Sequence, residues 1–197
     1  PQVPLNLLGD FAGGSMYLVA GVLSALVHAR ATGEGQIVDA PITDGVAHLL
    51  SMTIAMQQAG TWSPDRGTNL LDTGAPYYDV YETEDGRWVS VGSLEPQFWY
   101  ALQQVYAADG LGDLPDRDVA QWPALRERLA EWFAGRTRDA WAEVFAGSDA
   151  CVLPVMSLTD AYEHPHNVAR GTYVTEYGGT QPAPAPRFSA TPTGVRR

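Results

Sequence analysis

The sequence predicts a mixed α/β chain with an apolar helical first third, a compact α+β unit in the middle and an extended tail. Residues 16–27 are almost continuously apolar, residues 77–91 alternate around an Asp-Gly turn dipeptide, and residues 181–186 contain three prolines. With 197 residues, 45% apolar and 18% charged, the chain is expected to fold around a core rather than stay disordered.

The first third is expected to hold two helices. Residues 16–27 would be apolar nearly all round a helix, which indicates burial on most sides, and this run is too short to cross a bilayer. A short strand is predicted for residues 37–40. A second helix is predicted for residues 42–59, with Met52 and Met56 four apart on its apolar side.

The middle and the tail carry clear turn and cap signals. Residues 77–83 and 87–91 read as a hairpin, and residues 151–156 as an edge strand because they contain a proline. Pro96 suits the first position of a helix, and Thr137 can cap another. The predicted helices after Pro96 cover residues 122–134, 138–146 and 158–163, and a last strand covers residues 172–177.

Composition excludes several classes of function. The chain has no lysine, which excludes a Schiff-base enzyme and a P-loop, because both need its amine. The net charge of −11 argues against sequence-independent binding to the phosphate backbone of a nucleic acid. Cys151 is the only cysteine, so neither an internal disulfide nor a multi-cysteine metal site can form. It lies in an apolar run and is expected to be buried.

Two carboxylates are candidate catalytic groups. Asp10 lies in a glycine-rich stretch just before the first helix, where helix-terminal amides favour negative charge on a side chain or an oxyanion. Glu95 lies between a strand and a helix, where it could act as a base or orient a histidine. Both positions also suit simple helix capping. His164 and His166 could be metal ligands, but no third ligand at a suitable spacing accompanies them.

Several motifs together resemble the α-methylacyl-CoA racemases of the class III CoA-transferase superfamily. They follow in order from near residue 3 to near residue 190, and occupy residues 6–15, 33–40, 69–78, 81–83, 91–98, 151–155 and 186–188. This resemblance implies part of a Rossmann-like large domain plus a smaller α+β domain. It places the carboxyl-side part of the large domain at residues 1–40, a helix and linker at 41–76, the small domain at 77–164, a return linker at 165–184 and a return to the large domain at 185–197.

The resemblance also implies a site and a mechanism. Asp10 matches the catalytic aspartate, and Glu95 matches the glutamate that supports a catalytic histidine. The positions matching the substrate's acyl pocket are Asn6, Leu71, Tyr78 and Leu94, and the substrate-binding residues Met52 and Met56 match the methionine-lined surface under the acyl chain. The reaction implied is racemisation at the α-carbon of a 2-methylacyl-CoA, with an acid and a base on opposite faces of an enolate. CoA is part of the substrate, and no metal or other cofactor is implied.

The assembly implied is an interlocked homodimer that binds acyl-CoA. The net charge predicts no nucleic-acid partner, and the short apolar run predicts no membrane insertion. A cytoplasmic location is expected because the sequence shows no targeting signal. None of the four histidines matches the catalytic one, which lies upstream in the family. We therefore expect the carboxyl-terminal portion of a longer enzyme, inactive alone, with its first helix exposed. The alternatives are a class III CoA-transferase, in which Asp10 is the nucleophile, and a fragment acting only as a dimerisation unit.

Overall fold

The chain divides between Asn69 and Leu70 into two units in the computed structural model, which describes residues 4–194. The predicted large-domain segments include residues 1–3 and 195–197, which lie outside the described residues. The described part of the first unit is helical and contains no strand. The strand predicted for residues 37–40 is therefore wrong, since this extended segment has no neighbouring strand to bond with. The Rossmann-like core and the five-part domain division stay predictions.

A π-helical segment, Leu7–Met16, opens the first unit and continues directly into α1 (Tyr17–Thr32). The amide of Phe11 donates to the carbonyl of Asn6 at 3.2 Å, a bond across five residues that defines this wider helix. α1 ends where Gly33 takes a φ of 82°, the left-handed conformation that glycine adopts without strain.

Helix α2 (Ile42–Leu49) packs closely against the π-helical segment. A Cβ added to Gly45 would lie 1.8 Å from the carbonyl oxygen of Gly13, so the two backbones can meet only without a side chain there. α3 (Ser51–Gln58) follows after a break at Leu50, where ψ is 3°. The single helix predicted for residues 42–59 is thus two helices.

The apolar surface of α1 is exposed: none of its residues is buried. The prediction that residues 16–27 are buried is wrong for this chain, and the alternative expectation of an exposed helix is confirmed. Its exposed side chains include Leu18, Val19, Val22, Leu23, Leu26 and Val27. By length and composition alone, the continuous run Leu7–Thr32 could cross a bilayer, a test that core helices of soluble proteins also pass.

The second unit is built on a three-stranded antiparallel sheet. Its order is β1 (Tyr78–Glu82), β2 (Trp88–Gly92) and β3 (Val152–Pro154), so β2 is central and β3 lies at an edge, as its proline predicts. A separate two-stranded sheet pairs β4 (Tyr173–Glu176) with β5 (Gly179–Pro182). The hairpin prediction and the last predicted strand are confirmed.

Five helices accompany these strands in the described part of the second unit. Pro96 begins α4 as predicted, and Thr137 caps α6 by accepting from the amide of Ala140 at 3.3 Å. The helices are α4 (Pro96–Ala108), α5 (Trp122–Phe133), α6 (Arg138–Val144), α7 (Leu158–Glu163) and α8 (Pro165–Arg170), with a 3₁₀ turn at Val119–Gln121.

The core of the second unit is an aromatic cluster beneath the inner face of the sheet. Trp132 is central to it, because its ring contacts four other aromatic rings at centroid distances of 4.9 to 5.8 Å. These rings belong to Tyr106, Phe133, Trp141 and Phe145. Edge-to-face contacts of this kind add to the free energy of burying apolar area, so the sheet rests on a rigid support.

Candidate functional site

Asp10 lies in the first turn of the π-helical segment, and its side chain is exposed. The helical run begins at Leu7, nine residues before the start predicted at residue 16, so Asp10 is inside the helix rather than before it. The amide of Phe11, which follows Asp10, already donates to Asn6 and is not a free oxyanion donor. The carbonyl of Asp10 accepts a hydrogen bond from the hydroxyl of Ser15 at 2.9 Å.

The backbone that carries Asp10 is held in place by the close contact between Gly13 and Gly45. π-Helical turns are rare and occur frequently at functional sites. A helix of this width over Leu7–Met16 gives Asp10 a defined position on the surface of the first unit. Asn6 immediately precedes the same segment and is exposed, and its side chain makes no capping hydrogen bond.

The two methionines of the predicted acyl pocket lie on α3, four residues apart on one face. Met52 is 57% exposed, and Met56 is partly buried. Flexible thioether side chains on a surface can adapt to apolar groups of different shapes. Both methionines belong to the first unit, as do Asp10 and Asn6.

Glu95 belongs to the second unit and occupies the N-cap position of α4. Its exposed side chain makes no capping hydrogen bond, so capping through the carboxylate does not explain this residue. The backbone on either side is fixed. Ser93 is fully buried and donates to the carbonyl of Ala150 at 2.6 Å, and the carbonyl of Glu95 accepts from Trp99 at 3.0 Å. The carboxylate thus projects from a rigid strand-to-helix corner.

Leu94, the residue before Glu95, is held by an arginine that the sequence did not single out. A guanidinium nitrogen of Arg117 donates to the carbonyl of Leu94 at 2.8 Å. The guanidinium carbon lies 5.0 Å from the ring centroid of Tyr77 and 5.4 Å from that of Trp99, which are cation–π distances. Arg117 therefore fixes the corner from which Glu95 projects.

A cavity of about 410 Å³ lies on the outer face of the three-stranded sheet. It brings together Leu71 and Tyr78, two of the predicted acyl-pocket residues, whereas Leu94 does not line it. The remaining lining residues come from the strands and the loops beside them, namely Thr73, Asp79, Val80, Ser90, Val91, Gly92, Cys151 and Leu153. A cavity of this size is within the usual range for small-molecule sites.

Two polar side chains that line the cavity, Asp79 and Ser90, are hydrogen-bonded within the protein. The Asp79 carboxylate accepts from Arg126 and, at 2.8 Å, from the amide of Val80. The Ser90 hydroxyl donates to the carbonyl of Leu153 at 3.2 Å. Arg126 also donates to the carbonyl of Thr73 at 2.7 Å, so one arginine holds two parts of the wall. The surface left for a ligand is mainly apolar.

Cys151 is exposed at the cavity, so the prediction that it is buried is wrong. Its φ is 53°, a left-handed conformation, just before the first residue of β3. Partial burial, followed by the negative charges of Glu95 and Asp149, raises the pKa of its thiol. The thiol therefore stays protonated at neutral pH.

No group of three potential metal ligands of the kind His, Cys, Asp or Glu occurs among residues 4–194. His164 and His166 line a separate cavity of about 480 Å³ with Leu153, Pro154, Met156 and Asn167. His48 instead pairs with Tyr17, whose hydroxyl oxygen lies 2.6 Å from Nδ1 of the imidazole ring.

Comparison with known proteins places the chain in a family. The family model described as "CoA-transferase family III" matches residues 1–197. Human α-methylacyl-CoA racemase is 40% identical over 198 residues, which are 98% of this chain and 50% of that enzyme. The succinyl-CoA:mesaconate CoA-transferase of Haloarcula hispanica is 30% identical over 149 residues, which are 74% of this chain and 37% of that protein.

Solved structures agree on the fold. A CAIB/BAIF family protein from Brucella suis superposes with a TM-score of 0.72 at 22% identity, over 98% of this chain and 51% of that one. The arrangement of helices and sheets is thus that of a class III CoA-transferase fold. The chain belongs to CoA-transferase family III, and the predicted resemblance to the racemases is confirmed by the human enzyme. The chain spans about half the length of the curated relatives it matches.

Proposed function

We propose that the polypeptide carrying this sequence is an α-methylacyl-CoA racemase. The observation that carries the proposal is the 40% identity to the human racemase across 98% of the chain, against 30% across 74% for the mesaconate CoA-transferase. Family membership by itself supports an enzyme acting on a CoA thioester. The choice of racemisation over CoA transfer is the proposal.

The proposed reaction is a 1,1-proton transfer. The thioester carbonyl acidifies the α-hydrogen, because the carbanion delocalises onto oxygen as an enolate. Asp10 exchanges a proton with the α-carbon from one face, and an imidazole exchanges one from the opposite face, so that the stereocentre inverts. The exposed carboxylate of Asp10 on the π-helical segment supports this role, because it is accessible and its backbone is fixed.

Glu95 is proposed to support that imidazole rather than to meet the substrate first. Its carboxylate projects from a rigid corner and makes no cap contact, which leaves it available to a histidine. None of the four histidines matches the family's catalytic position, so the imidazole is expected from a segment outside these 197 residues. The 197 residues alone are accordingly expected to catalyse little or no exchange.

The substrate's acyl group is proposed to contact Asn6, Met52 and Met56 of the first unit. In the second unit, Leu71, Tyr78 and Leu94 would provide the remaining contacts. The apolar lining of the cavity at Leu71 and Tyr78 supports this assignment. An interlocked homodimer, a cytoplasmic location and the lack of any cofactor besides the CoA of the substrate belong to the same proposal.

The test is α-proton exchange in deuterated water with a (2R)-2-methylacyl-CoA and the full natural polypeptide. We expect deuterium at the α-carbon and formation of the 2S thioester. Asp10→Asn and Glu95→Gln are expected to reduce the rate at least 100-fold and about 10-fold, respectively, in line with the contribution of positioned acid–base groups. Glu127→Gln, an exposed change on α5, is the matched control and should leave the rate unchanged.

CoA transfer is the second candidate, because the family includes the mesaconate enzyme of H. hispanica. In that reaction, the Asp10 carboxylate would attack the thioester carbonyl, break its C–S bond to release the CoA thiolate and form a mixed anhydride. Mass spectrometry after trapping with acyl-CoA distinguishes the two reactions. An adduct on Asp10 with no solvent deuterium in the substrate would overturn the racemase proposal. A stable dimer without either activity would instead support a dimerisation unit.

A further inference from the structure

The cavity of the second unit lies over the middle of its sheet. Side chains alternate between the two faces of a strand, so Tyr78 and Val80 of β1 share the outer face with Ser90 and Gly92 of β2. The strand register pairs Tyr78 with Gly92 and Val80 with Ser90. Leu153 of β3 pairs with Ser90 and extends the same row. All five residues line the cavity.

The size of these side chains explains the depression. On this face, the flanking strands β1 and β3 carry large side chains. The central strand β2 carries only the hydroxymethyl group of Ser90 and the hydrogen atom of Gly92. Tyr78, Val80 and Leu153 are 39%, 47% and 66% exposed, so they form walls that rise beside an empty centre. Gly92 adds no side chain to the floor, and it lies opposite Tyr78 on one side and beside Cys151 on the other.

Neither the backbone nor neighbouring atoms require glycine at position 92. Its φ is not among the positive values that favour glycine. A Cβ built there would lie 3.7 Å from the carbonyl oxygen of Cys151 and 3.8 Å from its Cβ, which are ordinary contacts. Glycine weakens a strand interior, and it often marks a place that a ligand approaches closely. The empty space above Gly92 is what a side chain would remove.

The chemistry of the walls selects what can enter that space. Asp79 and Ser90 are hydrogen-bonded within the protein, and the exposed Cys151 lines the same cavity. A charged group placed there would lose water and face a mainly apolar surface. A hydrocarbon or aromatic group would gain from burial.

We propose that Gly92 determines the substrate specificity of the site, by setting the size of the apolar part of the acyl group that the cavity admits. The inference rests on the proposed function, because it takes the acyl portion of a CoA thioester as the occupant. It adds that the cavity on the sheet holds the bulk of that group and that its floor discriminates by size.

The experiment compares Gly92→Ala and Gly92→Val with the wild type in the full natural polypeptide. Binding of nonreactive S-alkyl-CoA thioethers, with a compact branched chain and with a bulky aryl chain, is measured by calorimetry. KM values for the corresponding thioesters are measured alongside. The ratio of bulky to compact Kd is expected to rise about 10-fold for alanine and further for valine, because a methylene-sized change in an apolar pocket has this effect.

Gly179→Ala is the matched control, because Gly179 is also in a strand and no atom lies within 4 Å of its added Cβ. The ratio of bulky to compact Kd for Gly179→Ala should equal that of the wild type. A folded Gly92→Val protein with an unchanged bulky-to-compact ratio, or with equal losses for both ligands, would overturn the inference. Failure of the wild type to turn over any thioester, with the size-selective binding intact, would overturn only the proposed function.

Urea unfolding checks that the variants are folded. Because the added Cβ meets only ordinary contacts, Gly92→Ala is expected to keep the wild-type midpoint or to exceed it slightly. If Gly92→Val unfolds, then Gly92→Ala and Ser90→Ala, which enlarges the same floor, carry the test. Ser90→Ala is expected to shift the bulky-to-compact Kd ratio in the opposite direction. A shift in the same direction for both would contradict the size argument.

Discussion

Arg136 donates to both carboxylate oxygens of Asp109, and each nitrogen–oxygen distance is 2.8 Å. The indole nitrogen of Trp132 donates to one of the same oxygens at 2.7 Å. Asp109 follows the last residue of α4, and Arg136 lies between α5 and α6. The pair therefore joins three helices around the aromatic core of the second unit.

This pair makes stability dependent on pH. The hydrogen bonds from Arg136 lower the pKa of Asp109 below its ordinary value of 3.8, against the opposing effect of burial. A lowered pKa in the folded state stabilises the fold above the ordinary value, and this contribution is lost as the pH falls through the folded-state pKa. Asp109→Asn is expected to lose about 1 kcal/mol of unfolding free energy at pH 7, since the pair is partly exposed.

The measurement is urea unfolding of both proteins from pH 7 to pH 2. The difference between them should be constant down to about pH 4 and shrink below it. Asp113→Asn, an exposed change nearby, is the control. A difference that grows toward low pH would contradict the prediction.

The close approach of Gly45 to Gly13 predicts that a single added methyl group lowers the stability of the first unit. Gly45→Ala would place Cβ 1.8 Å from a carbonyl oxygen, so one helix must move. We expect a loss of about 1–3 kcal/mol, the usual range for overpacking, measured by urea unfolding followed by circular dichroism. Gly35→Ala, with nothing within 4 Å of its added Cβ, should have no such effect. Equal midpoints for both variants would show that the helices separate easily.

Removal of Arg117 should loosen the corner at Glu95. Arg117→Met loses the hydrogen bond to Leu94 and the contacts with two aromatic rings, at an expected cost of about 1–2 kcal/mol. Amide hydrogen exchange at Leu94 and Glu95, followed by mass spectrometry, should accelerate. Arg128→Met removes only an exposed ion pair on one turn of α5 and should leave this exchange unchanged. Unaltered exchange in Arg117→Met would assign the rigidity of this corner to Ser93 alone.

Arg138 is a buried cation of the second unit, with 5% of its surface exposed. It bonds Asp139 and Asp160 at 2.8 Å and the carbonyl of Val155 at 3.2 Å. Arg138→Met should cost about 1–3 kcal/mol, less than for a fully buried pair, because both carboxylates can still reach water. Arg87→Met removes a longer contact to Asp139 at 3.5 Å and should cost under about 0.5 kcal/mol. Thermal unfolding measures the loss of stability in each variant. Similar losses for Arg138→Met and Arg87→Met would contradict this ranking.

The sequence predicted the elements whose signals are local. The hairpin at Asp85-Gly86, the start of α4 at Pro96 and the cap of α6 at Thr137 each depend on a few adjacent residues, and all three are confirmed. Burial was harder, because it depends on the surroundings. α1 is apolar on all sides yet exposed, and Cys151 lies in an apolar run yet at the surface.

The candidate site was predicted through resemblance rather than residue chemistry. Asp10 and Glu95 have ordinary capping explanations when their sequence alone is considered, and no local signal distinguishes them. Gly92 lies in the motif at residues 91–98 but was given no role, because a glycine there carries no chemical signal of its own. Arg117 was missed because it is distant in sequence and belongs to no motif. The alternation of small Ser90 and Gly92 on a strand flanked by bulky residues was the available signal.

The aromatic cluster around Trp132 also determines which part of this chain tryptophan fluorescence monitors. Five of the six tryptophans, including Trp132 and Trp141 in ring contact at 4.9 Å, belong to the second unit. Indole emission therefore follows the melting of the sheet and its helices, and only Trp62 senses the first unit. Ellipticity and emission recorded on one sample would distinguish the unfolding of the two halves without any added label.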